Sequence, residues 1–203
     1  MNMEKSQDNE ITIRLHKPAL KEKLFFFISG LLTSVPLALF VNQFDDYFLA
    51  NLPQFYATLI PLVIVAPFLE EFAKAFPLFY RHGETVRSIF VLGFLVGLGF
   101  GIFEFLVYVL VLGASISSRW YGVLFHACSA SITSYGIATK RTVPFYLVAV
   151  LLHFSNNFFA FIHFYLDPSA MLSPWAIGSL AAVAITYLLS WSLYRKSSER
   201  IVD

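Results

Sequence analysis

The chain has 203 residues, of which 58% are hydrophobic and 13% charged, and its formal net charge is +1. A mean hydropathy of +0.69 is too apolar for a soluble domain that buries its apolar residues in one core. The small net charge predicts no nucleic-acid partner. Cys128 is the single cysteine, so the chain has neither an internal disulfide nor a cysteine-based zinc site. These features indicate an all-α, polytopic membrane protein.

Apolar segments long enough to cross a bilayer follow one another along the chain. A helix needs about 20 apolar residues to span the hydrocarbon core, and we predict about six transmembrane helices on this basis. They are Leu24–Val41, Phe55–Tyr80, Ile89–Leu112, Trp120–Ala138, Val143–Leu166 and Pro174–Tyr194. The connections are short, so we expect one integral membrane domain over residues 1–203. It comprises an N-terminal segment (1–23), a six-helix bundle (24–194) and a tail (195–203).

The distribution of basic residues predicts the orientation of these helices. If the helices alternate in direction, 12 of the 14 Lys and Arg residues fall on one side: Lys5, Arg14, Lys17, Lys21, Lys23, Arg81, Arg87, Lys140, Arg141, Arg195, Lys196 and Arg200. The opposite side then has Arg119 beside Asp45, Asp46 and Asp167. By the positive-inside rule, both termini are cytoplasmic.

Charged residues inside the predicted spans indicate a functional site. Glu70, Glu71 and Lys74 fall in the second span, and Glu104 falls in the third. Each costs about 2.5–3.5 kcal/mol at the centre of a transmembrane helix, and such residues usually face a protein interior or a wet cavity. Lys74 follows Glu70 by four residues and Glu71 by three, so it can pair with either carboxylate. The other carboxylate of the pair and Glu104 are then left for chemistry.

Two histidines at membrane depth extend this polar set. His126 lies in the fourth span and His153 in the fifth, and Asn157 follows His153 by one helical turn, with Asn156 beside it as a packing residue. Because unpaired polar groups in hydrocarbon are costly, we expect these side chains to converge in the interior. Small residues of the third span permit close helix approach: Gly93, Gly97, Gly99 and Gly101. Prolines of the second span favour a bend around a cavity: Pro61, Pro67 and Pro77.

The order of these motifs resembles that of a known family. Four short motifs follow one another on successive predicted helices: residues 70–74 (EEFAK), 100–104 (FGIFE), 126–127 (HA) and 153–157 (HFSNN). The set resembles the PrsW family of bacterial intramembrane proteases. More distantly, it is similar to the CAAX-prenyl-protease and bacteriocin-processing (CPBP) superfamily of glutamic proteases. Lys74 stands one residue earlier than the Arg of that superfamily's EExxxR pattern, and Glu104 replaces the His of its FxxxH pattern, which favours the PrsW branch.

The resemblance implies hydrolysis of a peptide bond in a membrane-anchored protein, with an anti-sigma factor as one kind of substrate. It implies a multi-pass protein of a bacterial inner membrane, whose partners are its substrate and the lipid bilayer, in an oligomeric state that the sequence does not specify. It further implies that Glu70 and Glu71 activate water, that His126 and His153 transfer protons or bind a ligand, and that Asn157 stabilises the oxyanion. Glu104 completes the catalytic candidates.

Two mechanisms stay open at this point. In the glutamic form no metal is bound and one of the paired carboxylates activates water directly, and the absence of an HExxH motif favours this form. In the metal form a divalent cation such as zinc is held by residues drawn from Glu71, Glu104, His126 and His153. The alternative functions are a proton- or ion-coupled transporter, because transporters also bury Glu and Lys, and a non-catalytic membrane scaffold of the same superfamily.

Overall fold

The computed structural model describes residues 17–80, 85–166, 168, 173–199 and 202, and for residues 38–46 it describes the backbone alone. Six long helical segments make up most of this part of the chain: α1 (Leu20–Phe44), α2 (Gln54–Phe79), α3 (Val86–Val111), α4 (Ile116–Ala138), α5 (Thr142–Leu166) and α6 (Pro174–Lys196). The prediction of an all-α fold is confirmed for the described residues.

Four of these helices are long and apolar enough to cross a membrane, judged over the described residues: α2, α3, α5 and α6. They indicate a multi-pass membrane protein. Helix α4 is not among them because it is rich in Ser and Thr, and several of these side chains, such as Ser129 and Ser134, are buried against other helices. The count of six spans and the cytoplasmic termini stay predictions. Lys5, Arg14, Arg81 and Arg200, which contribute to the charge argument, lie outside the described residues.

Helix α2 departs from regular α geometry on both sides of its charged residues. It is π-helical over Ile60–Val65, α-helical over Ala66–Ala75 and 3-10-helical over Phe76–Phe79. Proline lacks the N–H that continues an α-helical ladder, and each irregular stretch contains or adjoins one of the three prolines of this helix. The regular turns between them carry Glu70, Glu71 and Lys74.

Glycines of α3 permit close approach to the neighbouring helices α1 and α4. A methyl group on Gly97 would overlap the carbonyl oxygen of His126 on α4, and one on Gly99 would overlap the carbonyl oxygen of Phe27 on α1. Only glycine permits backbones to approach this closely. The apolar cluster around Leu92 and Val96 then packs between α1 and α2, while α4 is buried at the centre of the bundle. These contacts place His126 beside Glu104, towards the C-terminal end of α3.

Candidate functional site

Glu71 is the centre of a buried polar cluster that draws on three helices. Its side chain is fully buried, and its Oε1 atom accepts hydrogen bonds from Lys74 Nζ at 2.6 Å, Ser129 Oγ at 3.0 Å and His153 Nδ1 at 3.0 Å. The Lys74 side chain is fully buried as well, so the two charges form an ion pair without solvent. The sequence left open which carboxylate Lys74 would meet, and in the structure it is Glu71.

His126 is held by two charged neighbours. Lys74 Nζ lies 2.9 Å from His126 Nδ1, and an ammonium group can only donate, so this ring nitrogen accepts. The other ring nitrogen, Nε2, then carries the proton and donates it to Glu104 Oε2. His126 is almost fully buried, whereas the Glu104 side chain keeps 29% of its exposure. The ring is therefore fixed between an interior cation and a carboxylate that reaches a more open region.

Glu70 faces both histidines but has no hydrogen bond of its own among the described residues. Its Oε2 atom lies 3.7 Å from His153 Nε2 and 4.0 Å from His126 Nδ1. This oxygen is buried and has no hydrogen-bond partner. One ligand atom from each of Glu70, His126 and His153 can be chosen so that all three lie within 4.8 Å of one another. An unsatisfied carboxylate oxygen facing two imidazoles is a site for a proton, a water molecule or a cation.

A cavity of about 750 Å³ reaches this cluster from one end of the bundle. Its walls come from α1, α2, α3 and the segment that precedes α2, and they are mostly apolar. Glu70 and Glu104 are its acidic lining residues, whereas Glu71 and the two histidines do not line it. The cavity extends to Leu49 and Leu112, at the end of the bundle where α2 begins and α3 ends. The two lining carboxylates are thus the groups that an incoming molecule would meet.

The structure brings five of the six candidate catalytic residues into this cluster: Glu70, Glu71, Glu104, His126 and His153. Asn157 is engaged elsewhere, because its Nδ2 atom donates a hydrogen bond to the backbone oxygen of Leu62 at 2.9 Å. Sequence reasoning missed Ser129, which is fully buried and contacts both Glu71 and Lys74. Its position three residues after His126, on the same helical face, was the available signal.

A model of one protein family matches the chain over residues 19–189, and its description is PrsW family intramembrane metalloprotease. The matched range contains the whole cluster. The chain belongs to the PrsW family. It is therefore an intramembrane peptidase by family, and four of its described helices are long and apolar enough to cross a membrane. Comparison with curated proteins gave no match, and comparison with solved structures gave none.

The family description implies a metal ion, and the residues of this PrsW chain fit one. Two histidines and one carboxylate form a common zinc ligand set for hydrolysis. Three ligands of a tetrahedral zinc, each about 2.0–2.2 Å from the ion, lie about 3.3–3.6 Å apart. The separation of 3.7 Å between Glu70 and His153 is already near this value. The geometry favours Glu70 over Glu71 as the carboxylate ligand, because Glu70 is the glutamate that groups with both histidines within 4.8 Å, whereas Glu71 Oε1 is engaged by three hydrogen bonds.

Proposed function

We propose that this chain hydrolyses a peptide bond within the membrane at the inner end of its cavity, in a membrane-anchored protein substrate. The observation that carries the proposal is that Glu70, Glu104 and two histidines lie together where a mostly apolar cavity ends. The buried Oε2 atom of Glu70 has no hydrogen-bond partner there. A cleft of this lining suits an extended apolar segment, and the carboxylates at its end suit attack by water.

The two adjacent glutamates are proposed to have different roles. Glu70 lines the cavity, so it is the carboxylate that contacts the reacting atoms. Glu71 is buried behind it and fixes His153 with its Nδ1 protonated, which leaves the lone pair of Nε2 directed towards Glu70. This arrangement is the carboxylate–histidine pairing that orients metal ligands in zinc enzymes. The sequence left open which of the two glutamates activates water, and we propose that Glu70 contacts the reacting atoms while Glu71 orients His153.

We infer that a divalent cation such as zinc belongs between Glu70, His126 and His153, in preference to the metal-free form favoured by the sequence. When bound there, the ion would polarise the scissile carbonyl and acidify the attacking water. Glu104 lies at the end of the cavity next to this group and is the proposed acceptor of the water's proton. His126 would need to release Lys74 to offer its Nδ1 atom as a ligand.

The cavity also suggests which side admits substrate. It extends from the carboxylates towards Leu49, Gln54 and Leu112, at the end of the bundle that the basic residues predict to be non-cytoplasmic. A substrate that enters from this side would be a single-span protein with an exposed segment outside the cytoplasm, and an anti-sigma factor is one candidate. We also propose that the protein lies in a bacterial inner membrane and that its family is distantly related to the CPBP superfamily.

The test compares cells that carry the native chain with cells that carry Glu70→Gln. We expect Glu70→Gln to abolish cleavage without loss of folded protein, because its Oε2 makes no hydrogen bond that the amide would break. Membrane proteomics should then find an intact membrane protein that accumulates in the variant. Glu199→Gln is the matched control, since Glu199 is an exposed glutamate distant in sequence from the cluster. Identical proteomes for native chain and Glu70→Gln would contradict the proposed function.

A further inference from the structure

Helix α2 contains a backbone oxygen that its own helix cannot satisfy. In the π-helical stretch Ile60–Val65, N–H groups donate to the carbonyl five residues before, and Ala66 N–H donates to the oxygen of Pro61 in this way. The next bond of the series would run from residue 67 to the oxygen of Leu62. Residue 67 is proline, which has no N–H. The Leu62 carbonyl, which is partly buried beside the cavity, therefore has no donor within its own helix, and an unpaired backbone group inside a membrane protein is costly.

Asn157 of α5 supplies the missing donor. Its Nδ2 atom lies 2.9 Å from the Leu62 oxygen. Its own Oδ1 accepts from Asn156 Nδ2 at 3.2 Å, and Asn156 Oδ1 in turn accepts from the Ser179 hydroxyl of α6 at 2.8 Å. These three hydrogen bonds all donate in the direction from α6 towards α2, and the last acceptor is the Leu62 carbonyl. The relay thus orients the Asn157 amide towards α2.

We propose that Asn157 is a positioning residue, which fixes the course of α2 by replacing the hydrogen bond that Pro67 cannot make. The regular turns after Pro67 carry Glu70 and Glu71, only three and four residues further on. The direction of α2 at this break therefore sets where both carboxylates lie relative to His153, one turn before Asn157 on α5. This role differs from the oxyanion stabilisation that the family resemblance implied for Asn157. Its effect on catalysis rests on the proposed function, whereas its effect on folding does not.

The substitution Pro67→Ala gives the proposal a direct test. Alanine restores an N–H at residue 67, which can donate to the Leu62 oxygen in place of Asn157. We expect Asn157→Ala alone to lower the unfolding temperature in detergent by about 2–8 °C, because the partly buried Leu62 carbonyl would lose its protein donor. We expect cleavage to fall with it. The double variant Asn157→Ala/Pro67→Ala should recover most of both losses relative to Pro67→Ala.

Two matched variants control this comparison. Pro77→Ala restores an N–H in the same helix but far from Leu62, so it should not rescue Asn157→Ala. Tyr146→Phe removes another hydrogen bond from α5 to α2, at 2.8 Å, but its acceptor Phe68 lies in a regular turn where Phe72 N–H is the ordinary donor. The loss in Tyr146→Phe should therefore be clearly smaller than that in Asn157→Ala.

Each outcome decides the proposal. If Pro67→Ala restores the unfolding temperature but not cleavage, Asn157 acts on the reacting atoms and the positioning role is wrong. If it restores neither, the hydrogen bond to Leu62 is unimportant and the proposal fails. If Asn157→Ala does not fold, it will not accumulate in membranes. In that case, accumulation of the double variant supports the proposal, and failure of the double variant to accumulate refutes it. If the native chain cleaves nothing, the proposed function fails, and the unfolding temperatures still decide whether Asn157 supports α2.

Discussion

The buried ion pair between Glu71 and Lys74 allows the sharpest test of the site. Both side chains are fully buried, and Nζ lies 2.6 Å from Oε1. In Glu71→Gln the ammonium loses its charged hydrogen-bond partner and keeps neutral acceptors, among them His126 Nδ1 at 2.9 Å and Ser129 Oγ at 3.3 Å. Removing one member of a buried pair typically destabilises a protein by about 3–5 kcal/mol, because the other charge stays without compensation. Lys74→Met should cost a similar amount.

Removing both charges should be less harmful than removing one. In Glu71→Gln/Lys74→Met neither member of the ion pair is left buried without the other, so we expect this double variant to be more stable than either single variant. It should nevertheless remain inactive, because a neutral amide orients His153 less strongly than the carboxylate that it replaces. Stability and activity therefore separate in this variant.

Thermal unfolding in detergent measures the stability part. For a chain of about 200 residues each kcal/mol corresponds to about 2–4 °C, so each single substitution should lower the midpoint by about 6–20 °C. Glu199→Gln, which removes the exposed carboxylate from its ion pair with Arg87 at 3.9 Å, is the control, and it should cost only about 0–1 kcal/mol. Single variants as stable as the native chain, or a double variant less stable than both, would refute the reasoning.

Two further predictions concern packing and metal content. Gly97→Ala should separate α3 from α4 and destabilise the protein by about 1–3 kcal/mol, because the new methyl group would overlap the backbone of His126. Gly122→Ala is the control in the same unfolding assay. It should be neutral, because its added methyl group would meet nothing within 4 Å. Purified protein should contain about one zinc per chain by elemental analysis, and Glu71→Gln should weaken zinc affinity about 10–100-fold through the orientation of His153. Cleavage that survives complete removal of metal would contradict the metal form and support the glutamic one.

Much of the architecture follows from patterns visible in the sequence. The apolar segments locate the helices to within a few residues, because hydrophobic length is a strong constraint in a bilayer. Four of the six predicted spans are supported among the described residues, and α1 and α4 are not among them. Helix α4 has the composition of a helix buried among other helices rather than in lipid. Such a helix can place Ser129 and Ser134 against protein, so its hydropathy does not indicate whether it crosses the membrane.

The residues that form the site were more predictable than the hydrogen bonds and ion pairs between them. Polar side chains in apolar helices must find one another, which is why Glu70, Glu104 and both histidines could be grouped from their positions alone. Helical spacing allowed Lys74 to pair with either glutamate, and only the rotation of α2 selects Glu71. The contact of Asn157 with Leu62 depends on a π-helical register around proline, which residue spacing does not reveal.

The position of α5 late in the chain has a consequence during biosynthesis. A nascent chain that has not yet reached Thr142 already contains the carboxylates of α2 and α3 and the imidazole of α4, but Glu71 lacks one of its three donors and the Leu62 carbonyl lacks its amide. We expect a growing polypeptide of this kind to be unable to cut neighbouring proteins at the insertion machinery. Completion of the fifth helix would then act as the step that makes the enzyme competent.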